Sequence, residues 1–188
     1  MFFELGCKSD AILGKSANND KKMKVQMARP FLYALLISCL FQSVPVSAET
    51  LRLQRDGPLA RDYFNKLEWM RCSIGQVWQD ETCQGEIKML TVAQAEQISA
   101  VMRENWGGGW RLPTVKELKG LIQKNVEAPK IDGETFPNTH QGSYWTSDQS
   151  FYTDQYFWTV NFYTGQLYNR FFYFQENAVR LVRDYSLR

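Results

Sequence analysis

The sequence predicts an α+β fold in which strands at both ends of the chain surround a helical middle. Two capping boxes mark the helix starts, Thr91 with Gln94 and Thr114 with Glu117. In a capping box the threonine hydroxyl accepts from the amide three residues on, and the side chain there accepts from the threonine amide. Short strand-like segments separated by glycines precede and follow these helices. Strands grouped on either side of helices favour an antiparallel α+β arrangement over a parallel α/β sheet.

The N-terminus is predicted to be a targeting sequence that the mature protein lacks. Basic residues between Lys21 and Arg29 precede an apolar run at 31–41, and Val46-Ser47-Ala48 carries small residues where a signal peptidase reads them. The run has 11 residues, whereas a membrane-spanning helix needs roughly 20. We therefore expect residues 23–48 to be a secretory signal peptide and the mature protein to begin at Glu49.

Two features of this region leave alternatives open. Residues 1–22 are polar and are interpreted as a mis-started or non-native extension, because Met23 and Met27 are equally good starts. Leu36-Ile37-Ser38-Cys39 resembles a lipobox, which would place a lipid on Cys39, although the apolar run continues to Phe41. The expected location is periplasmic or secreted, with a lipoprotein anchored through Cys39 as the alternative.

Residues 49–188 are predicted to form a single domain without a strong charge bias. Six of the 22 lysines and arginines and three of the 20 acidic residues lie in residues 1–48, which leaves 16 basic against 17 acidic residues in the mature chain. Neither a basic stripe nor an acidic tail is present, so nothing indicates nucleic-acid binding or metal buffering. No membrane span is expected after cleavage.

Cys72 and Cys83 are the two cysteines of the mature chain, and we expect them to form a structural disulfide. An even number of cysteines in an exported protein favours a disulfide. Closing a loop this short is expected to stabilise the folded protein by roughly 2–3 kcal/mol. A redox-active pair would favour the tighter Cys-x-x-Cys spacing.

Helical and strand-like patterns alternate from Glu49 to Asn125. Residues 49–62 form a polar lead-in, either an arm or a first edge strand. Leu67–Cys72 and Gln76–Trp78 are expected to pair as a hairpin around Gly75. The first helix is expected to run to about Asn105 with an apolar stripe of Val92, Ala95, Ile98, Val101 and Met102. A shorter helix is expected from Val115 to about Asn125.

The C-terminal third predicts an aromatic hairpin with a two-residue loop at Thr164-Gly165. In that register three cross-strand pairs share a largely apolar face, which we expect to be core: Phe162 with Leu167, Val160 with Asn169, and Trp158 with Phe171. A three-residue loop would slip the second strand and turn Gln166, Tyr168 and Arg170 inward, which the hydrophobic pattern disfavours.

The reverse face of this hairpin mixes rings, amides and one guanidinium. It places Phe157, Thr159, Asn161 and Tyr163 opposite Phe172, Arg170, Tyr168 and Gln166. Rings stack on sugar faces, and guanidinium or amide groups bind hydroxyl or acidic groups. The candidate ligand-binding residues are Asn161, Tyr163, Tyr168, Arg170 and Phe172. Two alternatives remain: the rings cover a second small core, or the site lies in the loops at 131–143.

Catalysis and metal binding find little support in the sequence. The single histidine, His140, lies in a polar loop where a solvated role is expected, and one histidine with an oxidised cysteine pair supplies no zinc or copper ligand set. Asp148 and Asp154 lack the alternating oxygen ligands of a calcium loop. We expect no enzyme activity, no metal and no cofactor.

Together, several motifs resemble the Lcl C-terminal domain family, a bacterial domain of unknown function. The motifs are Leu67-Glu68-Trp69-Met70-Arg71-Cys72, Trp78, Cys83-Gln84-Gly85, Trp110-Arg111-Leu112-Pro113-Thr114 with Glu117-Leu118, Phe136-Pro137-Asn138-Thr139, Tyr144-Trp145-Thr146-Ser147, Trp158-Thr159-Val160-Asn161-Phe162 with Gly165, and Val179-Arg180-Leu181-Val182-Arg183. Many relatives place a cysteine where this chain has Leu181, so a second disulfide is not expected.

The resemblance implies a C-type-lectin-like fold, with two helices flanking a small antiparallel sheet and with the termini paired as strands. Formylglycine-generating-enzyme-like members share this scaffold, so the fold alone does not imply a function. Trp110, Arg111, Pro113, Thr114 and Glu117 are interpreted as a structural motif, because an arginine beside a tryptophan at a helix entry usually packs on the ring and satisfies nearby oxygens. Arg180 and Arg183 are expected to act similarly.

The function expected from these patterns is that of an exported, noncatalytic adhesin-like or lectin-like domain that binds a surface glycan or an envelope protein. The alternatives are a structural or assembly subunit of a surface complex, and an enzyme-accessory domain on the formylglycine-generating scaffold. A large exposed apolar patch would favour the assembly role.

Overall fold

A computed structural model describes residues 53–186 of the chain. The predicted signal peptide, the expected cleavage site after Ala48 and the lipobox-like segment at Cys39 lie outside the described residues. Within 53–186, no helix has both the length and the hydrophobicity that a membrane crossing requires.

A four-stranded antiparallel sheet joins the start of the domain to its end. Its strands are β1 (Leu53–Asp56), β2 (Leu59–Asp62), β3 (Leu67–Met70) and β9 (Val182–Asp184), in the order β1-β2-β3-β9. β3 is buried along its whole length and pairs on both sides. The C-terminal strand β9 therefore joins the sheet of the N-terminal strands but pairs with β3, and the polar lead-in supplies the opposite edge strand β1.

The disulfide joins the chain after β3 to a separate two-stranded sheet. That sheet consists of β4 (Val77–Gln79) and β5 (Thr82–Gln84), and Cys72 bonds to Cys83 in β5. The predicted disulfide is present, but the expected hairpin between 67–72 and 76–78 is wrong. β3 is an interior strand whose two edges are taken by β2 and β9, so the chain after Gly75 pairs with β5 instead.

Both predicted helices are present, and both begin at their capping boxes. They are α1 (Val92–Trp106), capped by Thr91, and α2 (Val115–Lys119), capped by Thr114. α1 buries Val92 and Ala95, whereas Val101 is exposed, so its placement in the apolar stripe was wrong. α2 is shorter than expected because Gly120 ends it and the chain turns before Leu121 and Ile122 reach the core.

The third sheet is also antiparallel and separates two apolar clusters. It contains β6 (Ser143–Gln149), β7 (Tyr156–Asn161) and β8 (Gln166–Phe172), in that order. Tyr144, Val160 and Leu167 pair across its strands and pack in one cluster with α2 and the four-stranded sheet. Trp145, Phe157 and Phe171 belong to a second cluster, which also holds α1 residues and Trp110. The α+β class is confirmed, with three separate sheets in place of one.

The register of the β7–β8 hairpin differs from the predicted two-residue loop. Asn161 pairs with Gln166, so four residues at 162–165 form the loop. The Asn161 carboxamide oxygen accepts from the amides of Tyr163 and Thr164 at 2.9 and 3.0 Å, which closes the longer turn. Phe162 leaves the strand and is buried in the first cluster.

A β-bulge further along β8 divides the face that the sequence had predicted to be continuous. Tyr168 pairs with Thr159 and Phe171 with Phe157, so Asn169 and Arg170 both lie opposite Trp158. An extra residue in one strand reverses the alternation of its side chains. Tyr168 therefore shares a face with Phe171, whereas Phe172 lies on the opposite face. Phe157 and Thr159, which we expected to point outward, are buried.

The segment at 177–182 runs through the centre of the domain and binds the sheets together. All six of its residues are buried. Its backbone exchanges hydrogen bonds with Leu90, Arg111 and β6, and its carbonyls accept from Met70 and Ile74. We call this buried segment the core strap; it contains Val179 to Val182 of the terminal Val-Arg motif, whereas Arg183 is partly exposed.

Candidate functional site

Exposed aromatic side chains collect at one end of the third sheet, where β7 begins and β8 ends. We define this aromatic end as Phe151, Tyr152, Tyr156, Arg170, Phe172, Tyr173 and Phe174. The backbone amide of Tyr173 donates to Gln155 at 3.0 Å, which holds the two chain segments side by side. Four of the aromatic rings, those of Phe151, Tyr152, Tyr173 and Phe174, are classed as exposed.

The rings of the aromatic end form two groups. Phe172 lies 4.6 Å from Tyr156 and 5.0 Å from Phe174 between ring centroids, and the Phe172 and Phe174 planes are nearly parallel at 17°. Tyr173 lies edge-on to Phe174 at 5.5 Å. In the second group Phe151 and Tyr152 are 4.1 Å apart. These rings are held by each other and by the strands, so they present a preformed apolar surface.

Arg170 supplies the positive charge of the aromatic end. Its guanidinium lies 5.0 Å from the centre of the Tyr152 ring, a cation–π contact. Within residues 53–186 it makes no salt bridge to a carboxylate at 4.0 Å or less. Because the charge is exposed and not neutralised there, it can attract an anionic or hydroxyl-rich group.

The other predicted ligand-binding residues lie toward the opposite end of the hairpin. Asn161 uses its carboxamide to close the turn and donates to the Ser143 hydroxyl at 3.1 Å. Tyr163 is exposed on the loop, and the Tyr168 hydroxyl lies 3.4 Å from that of Thr164. β8 rises roughly 3.3 Å per residue, which places this loop about 20 Å from Phe172. The structure thus places Arg170 and Phe172 at the aromatic end and Asn161 and Tyr163 at the hairpin loop, with Tyr168 between them in β8.

The structural motif around Trp110 is a closed network of charges. Arg111 donates to both carboxylate oxygens of Glu117 at 2.9 Å and to Asp184 at 2.8 Å. The Glu117 carboxylate also accepts from the Thr114 amide at 2.7 Å, which completes the capping box. The Glu117 hydrogen bonds raise the pKa of Arg111 further above its ordinary value. Burial raises the pKa of Glu117, but the bonds from Arg111 and Thr114 outweigh it and leave that pKa low.

A second group of charged residues covers the ring of Trp110. Its ring is fully buried, and the Arg183 guanidinium lies 4.6 Å from the ring centre. Arg183 and Arg61 both bind the buried carboxylate of Glu68, at 2.6 and 2.8 Å from their Nε atoms. The buried Glu68 carboxylate is satisfied by the two guanidiniums, so it is not available to a ligand.

Arg180 is buried completely and is held by neutral acceptors. It donates to the carbonyls of Met70 and Arg71 and to the Thr139 hydroxyl. Its guanidinium also lies 4.6 Å from the Phe136 ring centre. Burial lowers the pKa of Arg180. The expected structural role of Arg180 agrees with these contacts, which join β3, the strap and the loop before β6.

The motifs that suggested the family therefore lie at contacts between the strands, helices and loops of the fold. Comparison with known families indicates the same family. The model of the Lcl C-terminal domain matches residues 59–183. This chain belongs to the Lcl C-terminal domain family. No curated protein matches this Lcl domain.

Residues considered for catalysis or metal binding in the Lcl domain make structural contacts. His140 is half-buried beside Tyr144, whose hydroxyl accepts from the His140 amide at 2.9 Å, and burial lowers the pKa of the imidazole. Asp148 accepts from the Val115 amide at 2.7 Å at the start of α2. Within the part of the chain that the structure describes, no group of three or more His, Cys, Asp or Glu residues is placed to hold a metal.

Sequence reasoning missed most of the aromatic end of the Lcl domain. Phe151, Tyr152, Tyr156, Tyr173 and Phe174 flank the predicted strands and were not among the candidates. Two adjacent aromatic pairs lie next to strand ends: Phe151-Tyr152 stands among polar residues, and Tyr173-Phe174 extends an aromatic run beyond the end of β8. Such a pair cannot bury both rings in a tight turn, and this signal could have found them.

Proposed function

We propose that this Lcl C-terminal domain is an exported, noncatalytic binding domain that recognises a glycan or a protein at the cell envelope through its aromatic end. The observation that carries the proposal is the preformed group of exposed rings beside Arg170. Monomeric proteins rarely expose such a concentration of rings unless it has an interaction role. Rings supply flat apolar contact area, and the guanidinium supplies directed hydrogen bonds.

The way the polar side chains are used supports a noncatalytic role. The charged residues of the family motifs are engaged in the networks of Arg111, Glu68 and Arg180. Catalysis requires a group that can exchange protons or attack a substrate. Residues committed to salt bridges and buried carbonyls are poorly suited to those tasks, and the cysteine pair is bonded.

Export is supported by two independent features. A signal-peptide pattern precedes the domain, and the Cys72–Cys83 disulfide is of the kind that persists in oxidising compartments. The pairing of β3, from the N-terminal part of the domain, with the last strand β9 supports a lectin-like scaffold for the domain. A binding domain on such a scaffold would present ligands at the envelope or outside the cell.

The test compares two variants of the mature protein, both altered at exposed positions. Tyr152→Ala combined with Arg170→Ala removes the cation–π pair of the aromatic end. Tyr163→Ala removes a ring of similar exposure at the opposite end of the hairpin and serves as the matched control. Retention is measured on immobilised neutral and acidic polysaccharides and on envelope extract.

We expect the double variant to lose at least tenfold in retention while the control keeps wild-type retention, with both melting as wild type does. Equal retention by all three proteins would contradict the aromatic end as the site. Loss in the control alone would move the site to the hairpin loop.

An assembly role is the second candidate, and the side chains of Phe151 and Phe174 favour it. Both are exposed, and a phenylalanine ring offers apolar contact area without a hydrogen-bonding atom, which suits a contact with another protein. If the domain is a subunit of a surface complex, Phe151→Ser with Phe174→Ser should release it from a copurifying partner. Light scattering and mass spectrometry of native complexes measure this, and a complex of unchanged mass would exclude these rings from the contact.

A further inference from the structure

A separate apolar pocket lies between the C-terminal half of α1 and the chain that follows β3. Its volume is about 390 Å³, within the range of small-ligand sites. Met70, Ile74, Ile98 and Met102 form its apolar walls. It shares no residue with the aromatic end, so it is independent of the proposed function.

The rim of this pocket is apolar and open to solvent. Trp106, at the end of α1, and Val77, in β4, are both exposed and both line the pocket. Trp78 lies beside them, and the guanidinium of Arg71 stacks 4.0 Å from its ring centre. Exposed apolar groups around a cavity lose contact with water when a ligand covers them, which favours binding of an apolar body.

The position of Lys88 is set by a close approach of two backbones. Gly75 has φ +102°, and a Cβ there would lie 2.5 Å from the Glu86 carbonyl and from the Lys88 amide. The glycine therefore allows the loop after the disulfide to pack against 86–88, with the Lys88 stem beside it in the pocket wall. Among residues 53–186, no carboxylate forms a salt bridge with the Lys88 ammonium.

We propose that this pocket binds a small amphipathic anion, an aliphatic or aromatic carboxylate whose apolar body fills the cavity and whose carboxylate pairs with Lys88. The apolar walls provide the binding free energy through buried area. Lys88 selects the charged end group at the rim, where a positive charge without an internal partner attracts an anion. A neutral molecule of the same size would gain only the first contribution.

Isothermal titration of the mature protein with octanoate tests the pocket, with octanol as the neutral probe. We expect saturable octanoate binding, weakened about fivefold by Lys88→Gln, as expected for the loss of one exposed ion pair. Octanol binding should not respond to this change. Lys119→Gln, an exposed lysine outside the pocket, is the matched control and should alter neither titration.

A second pair of variants tests the location. Trp106→Ala should weaken both probes several-fold because it removes an apolar wall, whereas Val101→Ala, exposed on the same helix but outside the pocket, should weaken neither. Absence of saturable octanoate binding overturns the proposal. Equal losses in Lys88→Gln and Lys119→Gln, or full binding in Trp106→Ala, would overturn it too, since octanoate would then bind by net charge or elsewhere.

Discussion

Trp110 and the charged residues around it, Arg111, Glu117, Arg183 and Glu68, form what we call the Trp110 network. This network and the aromatic end of the third sheet use the same chemistry for opposite purposes. Each places an arginine beside an aromatic ring, at 4.6 Å for Arg183 over Trp110 and 5.0 Å for Arg170 over Tyr152. In the network the ring is fully buried and the guanidinium binds the carboxylate of Glu68. At the aromatic end the ring is exposed, and no salt bridge from Arg170 is found in the described part of the chain.

The comparison shows that an arginine–aromatic pair does not by itself indicate a binding site. The environment of the pair decides its role, because a guanidinium whose donors are already bound to carboxylates cannot bind a ligand without breaking those contacts. By this criterion the family motif at Trp110 holds the fold together. Five variants can break or sharpen this division, and they are ordered from the largest expected effect to the smallest.

Trp110→Ala should cause the largest loss, about 3–5 kcal/mol of unfolding free energy, because it empties a fully buried site and removes the ring under Arg183. Urea denaturation of the mature protein measures this loss. A variant with an unchanged midpoint would place the ring in solvent and would remove the distinction between the two regions.

Replacing both Cys72 and Cys83 with Ser should cost about 2–3 kcal/mol, since the bridge no longer restricts the unfolded chain. Thermal melting with and without reductant provides the measurement, and reductant should affect only the wild type. The folded variant that lacks both cysteines should keep wild-type retention on the polysaccharides and the envelope extract. Two free thiols in native exported protein, detected by mass spectrometry, would contradict the bridge.

Glu117→Gln tests the charge network through its pH dependence. The pKa of Glu117 is held below its ordinary value of 4.5 in the folded protein. A carboxyl with a lowered folded pKa stabilises the fold above the unfolded pKa, and this contribution is lost as the pH falls through the folded pKa. The variant should therefore lose less stability than wild type on acidification below about pH 4.5.

Thr114→Ala is the companion variant for Glu117→Gln, because it removes the cap hydroxyl and leaves Arg111 and Glu117 paired. It should cost about 0.5–2 kcal/mol and keep most of the wild-type acid response, because the bonds to Glu117 from Arg111 and from the Thr114 amide remain. Parallel acid titrations of both variants that coincide would show that the pairing with Arg111 has no role in the network.

Tyr168→Ala with Arg170→Ala should have the smallest effect on stability, within about 0.5 kcal/mol, because both side chains are exposed. Calorimetry of the double variant checks this value. A loss above about 2 kcal/mol would mean that these exposed side chains support the sheet as the residues of the Trp110 network do.

Local signals in the sequence predicted the parts of the fold that depend on neighbours in the chain. Both capping boxes mark helix starts correctly, and the close cysteine pair is bridged. The length of α2 was overestimated because the apolar stripe at Leu118, Leu121 and Ile122 continues into a turn. Apolar spacing records which residues face the core and does not record whether the backbone stays helical.

The candidate site was predicted only in part for a different reason. Arg170 and Phe172 belong to the aromatic end, but the β8 bulge places Tyr168 on the other face of the sheet. The packing of Phe171 against Trp145 requires the bulge. With regular alternation, Phe171 would lie on the same face of the sheet as Leu167, away from Trp145. Trp145 and Phe171 are 26 positions apart in the chain, so the local alternation pattern cannot reveal their contact.

The sequence by itself determined the α+β class, the helix starts, the disulfide pair and the aromatic character of the hairpin, since each depends on residue type and short spacing. The tertiary structure decided the strand partners, the bulge and which rings reach solvent. Those outcomes depend on how the strap at 177–182 and the two apolar clusters share the interior. Such competition among distant residues is settled only when the whole chain packs.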